Sequence, residues 1–152
     1  MRRVVGLSTL LLGLALAGPV AADAVYPTER LPLLPVGDAA GTGFVVNIHP
    51  NGPLHFAQER YALRGAEPGA TYSVFLIVDA SALDCAFPGL EILMKAELTT
   101  NKAGNATAPA DFFFTPEGIP PCLRNASFPI HWNVTLDNAL THQTADTMVT
   151  LD

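Results

Sequence analysis

Four histidines and two cysteines are the side chains best suited to chemistry in this chain. His49 and His55 bracket the turn Pro50-Asn51-Gly52-Pro53, which brings them near one another, and His131 occupies an outward position of a later alternating segment. Imidazoles joined by a carboxylate suit zinc or copper, so His49, His55 and His131 are the candidate metal ligands. The competing reading is that these three and His142 are surface histidines in turns. No His-x-His, His-x-x-x-His or Cys-His-Met spacing occurs, and the methionines are too few for a copper relay. No cofactor is therefore expected. Acyl-transfer chemistry lacks its marks: there is no Gly-x-Ser-x-Gly, and Ser73, Ser81 and Ser127 form no distinctive Ser-His-Asp pattern. Glu91 and Glu97 share one face of an expected strand but lie about 20 Å apart along it, too far for paired-carboxylate work. A non-catalytic protein is the expectation.

Cys85 and Cys122 lack the Cys-x-x-Cys spacing of redox motifs. An even cysteine count in an exported chain reads as a disulfide. This one would close a loop of about 37 residues, which on chain entropy is worth roughly 4 kcal/mol.

Export is suggested by the first residues. Met1-Arg2-Arg3 is a basic start, residues 4–17 are an apolar run rich in Leu and Ala, Gly18-Pro19 breaks it, and small residues follow. That is the layout of a signal peptide, and the run is shorter than the roughly 20 residues of a membrane-spanning helix. Cleavage is expected after Ala24, with Ala22 as the second choice. The expected product is secreted or periplasmic, with no membrane anchor after cleavage. The precursor carries a net charge of −6, and loss of Arg2, Arg3 and Asp23 makes it −7. With no run of Lys or Arg, nucleic acid and anionic membranes are poor partners.

The organisation is read as a signal peptide over 1–24, a Pro-rich extended arm over 25–40 and one β domain over 41–152. The arm is expected to lie on the domain through Leu31, Leu33 and Leu34. Residues 44–49 and 71–79 read as strands, the latter apolar on both faces, and 54–63 as one strand or as two broken near Gln58-Glu59. Residues 90–100 alternate with Ile92, Met94, Ala96 and Leu98 inward, although 90–97 also has good helix propensity. Asn101-Lys102-Ala103-Gly104-Asn105 is a hairpin turn leading into 106–115. Residues 127–137 alternate around Trp132, and Pro129 there predicts an edge strand or a bulge. Residues 138–146 read as a polar loop before a last strand. Sequons occur at Asn105, Asn125 and Asn133 and matter only in a glycosylating host.

Leu63 is followed by Glu67-Pro68-Gly69-Ala70-Thr71-Tyr72. This stretch resembles the corner of fibronectin type III domains and is similar to the tyrosine corner of immunoglobulin-like sandwiches. The resemblance covers about a dozen residues. It implies that Tyr72 is a structural corner residue whose ring is buried and whose hydroxyl turns back to the corner backbone. Roughly 75 residues follow Tyr72, too many for the family order of strands. The expected fold is an antiparallel β-sandwich of about seven to nine strands, immunoglobulin-like but with a different topology. The expected function is a secreted, non-catalytic binding or scaffold module for a protein or glycan surface. The alternatives are a metal-binding protein using His49 and His55, and an enzyme with an unrecognised site.

Overall fold

A computed structural model describes residues 28–48, 56–79, 90–113, 122 and 126–151. Those residues form nine strands: β1 (Thr28–Pro35), β2 (Thr42–Ile48), β3 (Phe56–Arg64), β4 (Thr71–Asp79), β5 (Leu90–Thr99), β6 (Ala106–Phe113), β7 (Ala126–Leu136), β8 (Ala139–Gln143) and β9 (Thr147–Leu151). Every pairing is antiparallel.

Two sheets result. The first runs β1-β2-β3-β6, and the second runs β5-β4-β7, with β8 and β9 pairing along successive stretches of β7. β1 belongs to both. Its residues Thr28 to Leu33 ladder with β2, and Leu34 and Pro35 pair with β8. The inner faces meet in one core. Leu33, Val45, Tyr61 and Leu63 come from the first sheet, and Tyr72, Val74, Leu98, Phe128, Ile130, Trp132 and Val134 from the second. Burying each large apolar side chain is worth about 1.5–3 kcal/mol, which makes this interface the main source of stability. The fold is an all-β antiparallel sandwich, closed along one edge by β1 and nearly so along the other by the β5–β6 turn.

Alternation explains the strands that sequence reading finds, and four local differences have physical causes. First, the Pro-rich segment lies on the domain through Leu31 and Leu33 but as part of the sheets rather than as a separate arm. It is β1, a strand that carries Leu33 into the core and leaves Leu34 56% exposed. Second, β7 is internal to its sheet, but at Pro129 it pairs with β9 alone, so the proline sits at a local edge. The β4 ladder ends at Ile130, one residue short of Pro129, so the missing N–H costs that ladder nothing. Third, the stretch 138–146 is not simply a loop, because β8 lies within it. Asp137 and Asn138 both take positive φ (50° and 66°) between paired Leu136 and Ala139, a two-residue hairpin turn of the primed type.

Fourth, a bulge at Lys95 steps the β4–β5 ladder from Ala96 opposite Val74 to Met94 opposite Phe75. Ala96 and Leu98 keep the inward row, but Ile92 and Met94 move to the row of Ile77 and Phe75. Glu91 moves to the row of Val78.

The corner between β3 and β4 is densely bonded. Tyr72 is buried, and its hydroxyl accepts a hydrogen bond from the Glu67 N–H at 3.1 Å. Thr100 Oγ donates to the Glu67 carbonyl at 2.6 Å and accepts from the Ala70 N–H at 3.1 Å. The Asn101 hairpin closes over the same corner, where the Ala66 N–H donates to the Gly104 carbonyl. Gly104 has φ 72°, and a side chain there would run into the Ala66 backbone. Tyr72→Phe should cost on the order of 1 kcal/mol, read as a lower urea midpoint with unchanged slope. An unchanged midpoint would deny the hydroxyl its role.

Candidate functional site

Far from the corner, the sandwich ends where three connections leave it: 49–55 between β2 and β3, 80–89 between β4 and β5, and 114–125 between β6 and β7. Just inside this end, β3 carries Glu59 and Tyr61 inward at strand spacing. Glu59 is only 2% exposed. Its carboxylate accepts from the Tyr61 hydroxyl and, at 2.9 Å, from the indole N–H of Trp132 on the other sheet. The backbone of Trp132 is held in turn, its N–H donating to Thr144 Oγ at 3.0 Å and its carbonyl accepting from the Thr144 N–H at 3.0 Å. A buried carboxylate thus ties the sheets together.

Burial raises the Glu59 pKa above the ordinary 4.5, against the opposing effects of the Tyr61 and Trp132 hydrogen bonds and the Lys95 charge. Burial and the neighbouring Glu59 charge likewise push the Tyr61 hydroxyl up. Asn47 stands directly opposite Glu59 in the β2–β3 ladder, and its buried Oδ1 has no hydrogen-bond partner.

A raised folded pKa means that the folded state holds the proton more tightly than the unfolded one. This stabilisation is complete below the unfolded value near 4.5 and is lost as pH rises through the folded value. The wild-type chain should therefore lose stability relative to Glu59→Gln as pH is raised from 4 through the carboxylate range. Urea midpoints of the two proteins measured across that range check this, and a constant difference would contradict it.

Of the candidate ligands named from sequence, only His131 falls among the described residues. His131 lies on the outer face of the second sheet, its Nδ1 2.9 Å from Asp146, whose side chain is 70% exposed. His49 and His55 lie outside the described residues, as does Cys85. Among the described residues no group of three His, Cys, Asp or Glu is placed to hold a metal. Titration with Zn²⁺ and Cu²⁺ should show weak surface binding only, and a tight stoichiometric site lost in His55→Ala would contradict this. Reading His142 as a surface histidine in a turn is wrong. It is fully buried, its Nε2 donates to the Ala40 carbonyl at 3.2 Å, and its ring meets Tyr72 edge-on at 6.2 Å. Burial lowers its pKa, against the raising effect of its backbone partners at Ala40 and Gly41.

Sequence reading misses a cluster on the outer face of the first sheet. Arg30 from β1 and Arg60 from β3 flank Val46 in one cross-strand row, and Arg64 extends the same face of β3. All three arginines are exposed. The Arg30 guanidinium lies over the Phe44 ring, 3.9 Å from its centroid. Beside Phe44 and Ala62 opens a shallow depression of about 650 Å³, bordered by Arg64, Thr99, Asn101, Asn105 and Thr107.

No protein-family model matches this chain, and no curated protein or solved structure is similar enough to match. Functional assignment therefore rests on the faces and ends of this sandwich.

Proposed function

We propose that this chain is an exported, disulfide-stapled binding module that holds a glycan or protein surface without catalysis. The observation that carries the reading is the exposed outer face of the first sheet, where three arginines surround Phe44 beside an open depression. A rigid sheet presents such groups at fixed spacing, which lowers the ordering cost of binding. The basic, apolar and small-residue segments of the first 24 residues support export to a secreted or periplasmic location. A bridge between Cys85 and Cys122 is supported by the same address and by Cys122, which packs half-buried against the core; no described cysteine is a free thiol. The bridge would join the connections 80–89 and 114–125, which leave the same end of the sandwich.

The test is a panel of immobilised polysaccharides and extracellular proteins, with bound protein and released product measured in the same wells. Saturable binding without product supports the reading. Product formed in proportion to added protein contradicts it and favours an enzyme.

A further inference from the structure

We propose that the outer face of the first sheet binds an acidic polysaccharide, with Arg30, Arg60 and Arg64 pairing with its carboxylates. This rests on the binding-module reading and names its ligand class. Arg30 and Arg60 are two strands apart, which sets their Cα atoms about 10 Å from each other. Arg60 and Arg64 are four residues apart on one strand, about 13 Å. The arginines therefore mark out a triangle rather than a single anion pocket, which fits charges distributed along a polymer.

Between them lie Val46 and Phe44, with Pro32 beside them in the ladder, none of them charged. The Arg30 guanidinium covers one face of Phe44, so a sugar ring would lie against Val46 and Pro32. Stacking on Phe44 holds the Arg30 guanidinium plane in place and leaves its N–H rim for bidentate pairing with a carboxylate. The depression beyond Arg64 adds the hydroxyls of Thr99 and Thr107 and the amide of Asn105, which match sugar hydroxyls.

Charge decides between polyanions. The chain without its first 24 residues is acidic overall, yet three of its six Lys and Arg residues share this face. In the ladder Asp111 pairs with Gln58, one same-face step along β3 from Arg60, so on that face it is the carboxylate nearest this cluster in register. Duplex DNA carries a charge every 1.7 Å or so, and three arginines offset few of these while the rest of the molecule repels them. A polyuronate has sparser charge and offers rings and hydroxyls to the same face.

The experiment titrates the mature, oxidised protein against polygalacturonate, neutral dextran and duplex DNA, and repeats the polygalacturonate titration with variants. Polygalacturonate should bind, and more weakly as salt is raised. Arg30→Ala and Arg60→Ala should each weaken binding at least fivefold, and the triple alanine variant should abolish it. Arg30→Lys should lose most of what Arg30→Ala loses, because lysine keeps the charge without the planar fork. All three sites are exposed, so an unchanged denaturation midpoint establishes that the variants fold. Wild-type binding by the triple variant, equal binding to dextran or tighter binding to DNA would each overturn the proposal. No binding to polygalacturonate alongside saturable binding elsewhere in the panel overturns this inference and leaves the binding-module reading standing. Product release in the panel overturns that reading itself.

Discussion

Trp132→Ala should destabilise the protein by about 3–5 kcal/mol, the range for deleting a large buried aromatic. Trp132 is fully buried at the centre of the core. Its loss opens a cavity and also removes the N–H that reaches Glu59 across the two sheets. Typical domains have about 5–15 kcal/mol in total, so the variant should lose a large share of its stability. Trp132→Phe separates the two effects. It keeps most of the ring and leaves Glu59 one donor short, which should cost about 1–3 kcal/mol. Urea unfolding of both variants, followed by circular dichroism, reads the ordering. Equal losses in the two variants would mean that the indole N–H does all the work and the ring none.

Removing either half of the proposed bridge is the second large effect. Cys85→Ser and Cys122→Ser should each cost about 2–5 kcal/mol, and the double variant should cost no more than the larger single loss. The bridge would close the loop containing β5, β6 and the Asn101 hairpin, so reduction frees that segment in the unfolded chain. Wild-type protein under reducing conditions should match the double variant. Unfolding midpoints that ignore both reductant and mutation would contradict the bridge.

Much of the fold was legible because burial imposes a two-residue period. Residues 71–79 and the alternation around Trp132 could be read directly, since a half-buried strand must alternate. The corner at Tyr72 was legible from the local Pro-Gly turn and a tyrosine entering a strand. What escaped reading depends on partners distant in sequence. The prolines of β1 suggested an arm, and only pairing with β2 and β8 makes that segment a strand of both sheets. The bulge at Lys95 leaves no composition signal, yet it shifts the register of β5 against β4 by one residue. β8 was hidden because its polar residues look like a loop until the Asp137-Asn138 turn folds them against β7.

The site shows the same division. Glu59 and Tyr61 stand two apart on one strand, a signal that they share a face, but a buried carboxylate becomes sensible only once Trp132 arrives from the other sheet. Arg60 and Arg64 are readable as neighbours on one strand face. Arg30 joins them through the β1–β2–β3 register, so scanning for a Lys or Arg run could not find the cluster. The surroundings of two histidines likewise come from distant segments: Asp146 pairs with His131, and the Ala40 carbonyl and the Tyr72 ring meet buried His142.

The measurement that bears most directly on an exported, oxidised domain is the intact mass of the protein recovered from the secreted or periplasmic fraction, taken before and after thiol labelling. The account predicts a chain beginning at Val25, two hydrogens lighter than the reduced form, that takes up label only after reduction. A chain beginning at Met1 in the membrane fraction, or two thiols labelled without reduction, would contradict it.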